Sequence, residues 1–291
     1  MPLTVTGEIV GSARKAGRGA GAFNAITLEH AEAVVAGAEA AGLPVVLALS
    51  ENAVRFHGGR LRPLAAACAA LAADAAVPVG LHLDHVVSED LLHAAAGTAI
   101  SSVMFDASKL PYAGNVAATR AAAAWAHDRG LWLEAELGQV GGKAGEPALD
   151  AHAPGARTRP DEAVEFVAAT GVDALAVAVG SSHAMTTRTA ALDHALIAEL
   201  RAAVGVPLVL HGSSGVPDGE LRQATAHGMT KINVGTALNI AFDGALRTEF
   251  AAHPDRKDPR PALSRARDAM AETVRHLLTV ITADPGTTPA G

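Results

Sequence analysis

Short apolar runs alternate with longer, alanine-rich amphipathic runs along nearly the whole chain. Most of the short runs are continuously apolar, which is typical of parallel strands that are buried on both faces. We predict eight strands from these runs, at residues 20–25, 44–50, 79–84, 102–106, 131–137, 174–179, 208–211 and 231–234.

Helical periodicity lies between these strands, for example at residues 28–41, 115–129, 160–170 and 190–204, and again after the last strand at 237–252 and 262–281. Eight strand-then-helix units in about 250 residues are what one closed barrel requires. An open doubly wound sheet is the alternative, but no G-x-G-x-x-G motif follows the first strand. The pattern therefore predicts an α/β fold, a single (β/α)8 TIM barrel at residues 1–282 with an additional C-terminal helix. The Pro-, Gly- and Thr-rich residues 283–291 are predicted to be a disordered tail.

Composition argues against several classes of partner. The 291 residues carry a formal net charge of −7, whereas a nucleic-acid surface needs clustered Lys and Arg. No apolar run approaches the ~18 residues that cross a bilayer, and the first residues lack the pattern of a signal peptide. We therefore expect a cytoplasmic protein with no nucleic-acid or membrane partner. The single cysteine, Cys68, has no second cysteine in the chain with which to form a disulfide.

Polar residues interrupt the apolar pattern at the end of every predicted strand. In a barrel of this kind the active site forms at the carboxyl ends of the strands, so these residues form the candidate site. They are Asn24, Ser50-Glu51-Asn52, His82-Leu83-Asp84-His85, Asp106, Glu134 with Glu136, Ser181-Ser182-His183, His211-Gly212-Ser213-Ser214 and Asn233-Val234-Gly235-Thr236. Among them, we expect Asn24 and Ser50 to contact a substrate.

Histidines that end three different strands are candidate metal ligands. Three imidazoles that converge from separate strands, with a fourth position open, describe a catalytic zinc site. His183 and His211 end two of the strands, and the third strand offers both His82 and His85. Strand alternation points His82 and Asp84 to one side and His85 to the other, unless the strand has already ended at Asp84. Spacing alone therefore leaves the choice between His82 and His85 open.

Two carboxylates and two turns complete the candidate chemistry. Glu134 and Glu136 face the same way on the fifth strand, and buried carboxylates are costly unless they are bound to metal or paired, here with Lys109 or an arginine. The turn with Ser213 and Ser214 and the turn at 233–236 follow strands seven and eight, where barrels of this type bind phosphate. Backbone N–H groups and hydroxyls can hold a dianion there without a charged side chain.

Together these motifs resemble the class II, zinc-dependent fructose-bisphosphate and tagatose-bisphosphate aldolases. The resemblance rests on AFN at 22–24, HLDH at 82–85, EAELG at 134–138, Gly180 with His183, HGSSG at 211–215 and KINV at 231–234, and it runs in order from about residue 6 to residue 278. It implies a lyase of carbohydrate metabolism, as in glycolysis, that cleaves a phosphorylated ketose into dihydroxyacetone phosphate and an aldehyde. It also implies a homodimer or homotetramer.

The resemblance further implies roles for individual residues. His85, His183 and His211 would bind Zn²⁺, and Asp84 would protonate the aldehyde oxygen. Asp106 and Glu136 fall where the family has a second, more mobile metal position, for which a divalent and a monovalent cation are both open. The dihydroxyacetone phosphate site would comprise Ala184, Gly212, Ser213, Ser214, Asn233, Val234, Gly235 and Thr236.

Two positions depart from the family's pattern. Many relatives have glycine where this chain has Ala184, and the family's Gly-Gly-Glu-Glu-Asp loop reads here as GGKAGE at 141–146. The acidic pair that includes the family's proton-abstracting base is therefore missing in register. Glu146 is the nearest carboxylate and is our candidate base, followed by Asp150 and His152.

Several other functions are open from the sequence alone. A Schiff-base aldolase needs a lysine at a strand's carboxyl end, whereas Lys231 opens the predicted eighth strand at the opposite rim and Lys109 lies just beyond the fourth. A zinc hydrolase on this fold takes paired ligands from the first strand, which offers only Asn24. An aldolase for another sugar phosphate, such as a deoxy-keto-gluconate phosphate, or a catalytically inactive sugar-phosphate-binding relative would carry the same motifs.

Overall fold

Eight parallel strands close into a barrel in the computed structural model, which describes residues 2–138, 157–183 and 185–283. The strands are β1 (Ala20–Asn24), β2 (Val45–Ser50), β3 (Val79–Val86), β4 (Ser102–Phe105), β5 (Trp132–Leu137), β6 (Ala174–Val177), β7 (Leu208–Leu210) and β8 (Met229–Val234). Each strand pairs with the next one along the chain, and β8 pairs with β1. The predicted (β/α)8 barrel is therefore confirmed.

Helices surround the barrel. In the described residues they are α1 (Thr6–Lys15), α2 (Leu28–Ala41), α3 (Glu51–Phe56), α4 (Leu61–Asp74), α5 (Glu89–Ala95), α6 (Tyr112–His127), α7 (Pro160–Thr170), α8 (His194–Ala203), α9 (Asp218–His227), α10 (Thr236–Ala252) and α11 (Arg260–Thr282). A short 3-10 helix at Ser213–Gly215 follows β7. None of these helices is long and apolar enough to cross a membrane.

The core lies mainly between the outer face of the strands and the helices. Leu47, Leu81 and Leu133 alternate with inward-facing residues on their strands and are fully buried. Such burial on both faces explains why the strands have nearly continuous apolar sequences.

The first helix covers the amino-terminal end of the barrel. Ile9 and Val10 of α1 pack in one buried cluster with Ala20, Ala22 and Val46 of the first two strands. The hydroxyl of Thr6 donates to the carbonyl of Leu81 (3.3 Å), which ties the start of this helix to β3. The helix α1 therefore packs on the barrel at the end opposite to the polar strand ends.

The additional C-terminal helix, α11, packs against α2 and α10. Its buried side chains, which include Met270 and Val274, lie on one face of the helix. The contact with α2 is close because α2 carries Gly37, where a Cβ atom would lie 2.4 Å from the backbone carbonyl oxygen of Ala271. A larger residue at this position would force the two helices apart.

Some predicted boundaries are wrong by a few residues, and two of the differences affect the site. β3 continues to Val86 and does not end at Asp84, and β8 begins at Met229, two residues before Lys231. The helix predicted at 190–204 begins at His194. Residues 284–291 of the predicted tail lie outside the described residues.

Candidate active site

A cavity of about 420 Å³ opens at the carboxyl ends of the strands. It lies where a barrel of this kind carries its active site. Its lining includes most of the polar strand ends named above: Asn24, Ser50, Asp84, His85, His183, His211, Gly212, Ser213, Ser214, Asn233, Gly235 and Thr236. Residues from β1, β2, β3 and β8 and from the segments that follow β6 and β7 are thus brought together.

Three histidines converge on one side of this cavity. One ring nitrogen from each of His85, His183 and His211 lies within 4.8 Å of the others. The ring centroid of His85 is 5.0 Å from that of His183 and 4.6 Å from that of His211. Three imidazole nitrogens at this spacing form a donor set that would fit a zinc ion.

A bulge in β3 explains how two adjacent residues both reach the cavity. The register of β3 against β4 shifts between Leu83 and Val86, and His85 has a φ of 50°, a value that non-glycine residues rarely adopt. The extra residue at the bulge breaks the alternation of side chains, so Asp84 and His85 both line the cavity. His82 is completely buried and bonds through Nδ1 to the Ser102 hydroxyl (2.8 Å). The geometry thus favours His85 as the ligand.

Asp84 is held by two side-chain amides. Asn24 Nδ2 donates to Oδ2 (2.8 Å), and Asn233 Nδ2 donates to Oδ1 (3.2 Å). Burial would raise the pKa of Asp84, but His85 and His211, followed by Lys231, outweigh burial and hold the pKa well below its usual range. Asp84 is therefore an ionised carboxylate that faces the cavity in a fixed orientation.

A second group of potential ligands adjoins the histidines. His85, Asp106 and Glu136 each offer an atom within 4.8 Å of the other two. Asp106 Oδ1 also accepts bonds from the backbone N–H (3.1 Å) and the hydroxyl (2.6 Å) of Ser108. Two carboxylates beside one imidazole are a donor set that a harder cation than zinc would accept.

The turns after β7 and β8 form the other side of the cavity. Gly212 has a φ of 68°, and a Cβ atom there would lie 2.6 Å from the carbonyl carbon and oxygen of Ser182. The Ser214 hydroxyl accepts from the backbone N–H of Ala237 (3.0 Å), which joins the 3-10 helix to the first turn of α10. These turns and the start of a 17-residue helix, α10, lie together where an anion would be favoured.

The remaining predicted residues have different outcomes. Ser50 lines the cavity and also caps α3, because its hydroxyl accepts from the backbone N–H of Ala53 (3.1 Å). Val234 is 2% exposed and belongs to the hydrophobic core, so its side chain is absent from the described cavity lining. Ala184 and the loop residues Glu146, Asp150 and His152 lie outside the described residues.

Sequence reasoning missed several lining residues and one buried lysine. Ile26, Asn52, Ala53, Phe56 and Asn239 also line the cavity. Asn239 lies three residues after Thr236 on α10, a helical spacing that could have identified it. Asn52 belongs to the polar end of the second strand, for which the sequence predicts no contact at this position.

The position predicted for Lys231 at the opposite rim is wrong. Lys231 is the third residue of β8 and is completely buried, and its Nζ lies 2.8 Å from Glu134 Oε2. Glu134 is therefore paired with Lys231, a partner that the sequence pattern did not indicate. Burial would raise the pKa of Glu134, but Lys231 and the bond to His211 outweigh burial and lower it to about 2.

Comparison with known proteins agrees with this geometry. The family model described as fructose-bisphosphate aldolase class-II matches residues 4–284. The YdjI aldolase from Escherichia coli K12 is 29% identical, with a TM-score of 0.80 over 96% of this chain and 97% of that one. A proposed fructose-1,6-biphosphate aldolase from Coccidioides immitis is 28% identical, with a TM-score of 0.82 over 94% of both chains.

A more distant structure shows how far the fold is shared. The fructose-bisphosphate aldolase from Campylobacter jejuni is 20% identical, with a TM-score of 0.79 over 96% of this chain and 95% of that one. At this identity the likeness concerns the fold alone. Since the family model covers nearly the whole chain, the protein belongs to the class II fructose-bisphosphate aldolase family.

Proposed function

We propose that this protein is a zinc-dependent aldolase that reversibly cleaves a phosphorylated ketose, of the fructose- or tagatose-bisphosphate type, into dihydroxyacetone phosphate and an aldehyde. The observation that carries the proposal is the convergence of His85, His183 and His211 beside the ionised Asp84 in one cavity. Membership of the class II family supports both the reaction and the metal.

The metal and the phosphate site would hold the reacting end of the substrate. Bound Zn²⁺ would act as a Lewis acid toward the carbonyl of dihydroxyacetone phosphate. Gly212, Ser213 and Ser214, together with the turn at 233–236, would bind the phosphate through backbone N–H groups and hydroxyls. Binding at both ends fixes the reacting carbons, which removes much of the entropic cost of the reaction.

Asp84 would carry the proton of the aldehyde oxygen in both directions. In cleavage, the ionised carboxylate takes the proton from the substrate hydroxyl as the carbon–carbon bond breaks. In condensation, the same group returns that proton to the aldehyde oxygen. Asn24 and Asn233 would keep the carboxylate aimed at this oxygen, because each donates to one of its oxygens.

A separate base must exchange the proton on the carbon of dihydroxyacetone phosphate. Glu146 is our candidate, because it is the nearest carboxylate to the position where the family keeps its base. In the sequence it follows β5, and barrels of this type place the segments that follow their strands at the catalytic end. The second cation at Asp106 and Glu136, the cytoplasmic location and the homodimer or homotetramer also stay predictions.

Metal dependence gives the first test of this proposal. Chelator should abolish both cleavage and proton exchange into dihydroxyacetone phosphate, and added Zn²⁺ should restore them. His211→Ala should lose stoichiometric zinc and activity together, whereas the control His253→Ala changes an exposed histidine and should lose neither. Full activity of a verified metal-free preparation would rule the proposal out.

One observation favours a second candidate, an aldolase whose aldehyde half carries no phosphate. The cavity wall contributed by α3 consists of Asn52, Ala53 and Phe56, and none of the described lining residues is a lysine or arginine. Amides and an aromatic ring suit the hydroxyls and C–H groups of a neutral sugar. The two candidates are separated by condensing dihydroxyacetone phosphate with D-glyceraldehyde and, in parallel, with D-glyceraldehyde 3-phosphate. The bisphosphate proposal expects the higher kcat/KM with the phosphorylated aldehyde.

A further inference from the structure

Lys231 lies in the barrel interior and contacts three different side chains. Its Nζ is 2.8 Å from Glu134 Oε2, 2.7 Å from Asn233 Oδ1 and 3.4 Å from His82 Nε2. An ammonium group has three N–H donors and no acceptor. The three neighbours are all acceptors, so every N–H of this completely buried lysine has a partner.

Two of these neighbours also contact His211 and Asp84. Glu134 uses its other oxygen, Oε1, to contact His211 Nε2 (2.9 Å). Asn233 uses its amide nitrogen to donate to Asp84 Oδ1 (3.2 Å). The buried ammonium of Lys231 thus contacts both Glu134, the partner of a proposed metal ligand, and Asn233, a partner of the proposed proton carrier.

The contact with Glu134 determines which nitrogen of His211 can bind a metal. An ionised carboxylate can only accept, so His211 must carry its proton on Nε2 and present the lone pair on Nδ1. The Lys231 ammonium is the charge that keeps Glu134 ionised in a site without solvent, because an unpaired buried carboxylate would be strongly disfavoured. Without Lys231, the orientation and the tautomer of His211 would no longer be fixed.

The contact with Asn233 determines which end of its amide faces Asp84. Because Lys231 donates to Oδ1, the NH₂ group points toward Asp84 and stabilises its ionised form. If Lys231 were absent, the amide could turn and present its oxygen to the carboxylate, which would be repulsive.

We propose that Lys231 is a positioning residue that sets both the metal-binding nitrogen of His211 and the orientation of the Asp84 carboxylate. This inference rests on the aldolase proposed above and assigns the lysine no covalent role. Lys231 is not among the described residues that line the cavity, and Glu134 and Asn233 connect it to the residues that do.

The first test replaces the lysine by an apolar side chain of similar length. In Lys231→Met, the zinc dissociation constant, measured by competition with a chromogenic chelator, should rise ~10–100-fold. Histidine ¹⁵N NMR of the zinc-free protein should report a single Nε2–H tautomer for His211 in the parent and a mixture in the variant. Lys257→Met changes an exposed lysine and is the matched control, with parent values expected in both measurements.

A second variant keeps the test decisive if Lys231→Met does not fold. Lys231→Met combined with Glu134→Gln removes both charges, and the neutral amide can still accept from His211. This double variant should bind zinc nearly as tightly as the parent. Its kcat for cleavage should still fall at least ~10-fold, with little change in the KM for the ketose, because the contact that orients Asn233 is lost.

Three results would overturn the inference while leaving the aldolase proposal intact. One is parent zinc affinity and a parent His211 spectrum in Lys231→Met. Another is parent kcat in the double variant. The third is a borohydride-trapped adduct of dihydroxyacetone phosphate on Lys231, which would give this residue a covalent role. Failure of the parent protein itself to bind zinc or exchange the proton of dihydroxyacetone phosphate would instead refute the proposed function.

Discussion

The buried His82 gives a prediction about how stability depends on pH. Burial, followed by the nearby Lys231 ammonium, lowers the pKa of His82 from 6.5 to about 3. Above pH 6.5 the side chain is neutral in both the folded and the unfolded chain. As the pH falls through 6.5, the unfolded chain binds a proton that the folded protein does not bind until about pH 3. The free energy of unfolding should therefore fall by about 1.4 kcal/mol for each pH unit in this window.

The upper part of this window allows the clearest measurement. At pH 5 the His82 contribution should amount to a loss of about 2 kcal/mol relative to pH 7. The lower part is less specific, because the lowered pKa values of Asp84 and Glu134 mean that carboxylates destabilise the folded protein as the pH falls below about 4.5. The perturbation is His82→Gln, which keeps a polar side chain but cannot titrate.

The assay is urea denaturation of the metal-free protein at pH 7, 6 and 5, followed by circular dichroism. The comparison of parent and variant isolates His82, because every other side chain is the same in the two proteins. Burial also lowers the pKa of His30, which affects the stability of both proteins equally. The parent should lose about 2 kcal/mol more than His82→Gln between pH 7 and pH 5. Parallel loss in the two proteins would refute the assignment of a neutral, buried His82.

Four further predictions address the backbone and the reacting groups. His85 has a φ of 50°, so the metal-free His85→Gly variant should be about 1 kcal/mol more stable than His85→Ala; greater stability of His85→Ala in urea would show that the backbone is not strained there. Gly212→Ala should raise the KM for dihydroxyacetone phosphate and lower stability by ~1–3 kcal/mol, and unchanged values would show that the turn accommodates a Cβ. Asp84→Ala should retain zinc but slow cleavage ~10²–10⁴-fold, more than it slows proton exchange into dihydroxyacetone phosphate; equal losses in both assays would assign Asp84 another role. Glu146→Gln should stop that exchange without weakening zinc-dependent binding, and exchange at the parent rate would direct attention to Asp150 and His152.

The barrel could be predicted from sequence because its signals are local and repeated. Continuous apolar strands, amphipathic helices between them and polar residues at each strand end all follow from burial on two faces and solvent at one rim. The candidate site followed from the same rule, because the carboxyl ends of neighbouring parallel strands must meet. Neither the barrel nor the position of its site depends on which individual side chains contact each other.

The choice between His82 and His85 could not be made from spacing, because it depends on a bulge. Strand alternation assumes regular pairing, whereas the register of β3 against β4 shifts after Leu83. The bulge is defined by hydrogen bonds to another strand and by the unusual φ of His85, neither of which leaves a pattern in the sequence.

The position of Lys231 was recoverable, and the error lay in one strand boundary. Placing the start of β8 at Lys231 put this residue on the amino-terminal rim, whereas the strand begins at Met229. Residues two apart on a strand share a face, and Asn233 was already predicted to face the site. The same alternation places Lys231 on the inner face below it.

The polar and charged residues inside the barrel are themselves an argument for function. Parallel barrels fill their interior mainly with apolar side chains, and Met104, Ala174, Ala176 and Val209 form such a cluster here. His82, Glu134 and Lys231 are completely buried on other strands of the barrel, β3, β5 and β8. Burying an ion pair in place of apolar residues usually gains no stability and often lowers it. Lys231 contacts both His82 and Glu134. Glu134 contacts His211 directly, and Asn233 connects Lys231 to Asp84. The position of the three buried side chains is therefore explained by how they hold His211 and Asp84, and not by the stability of the barrel.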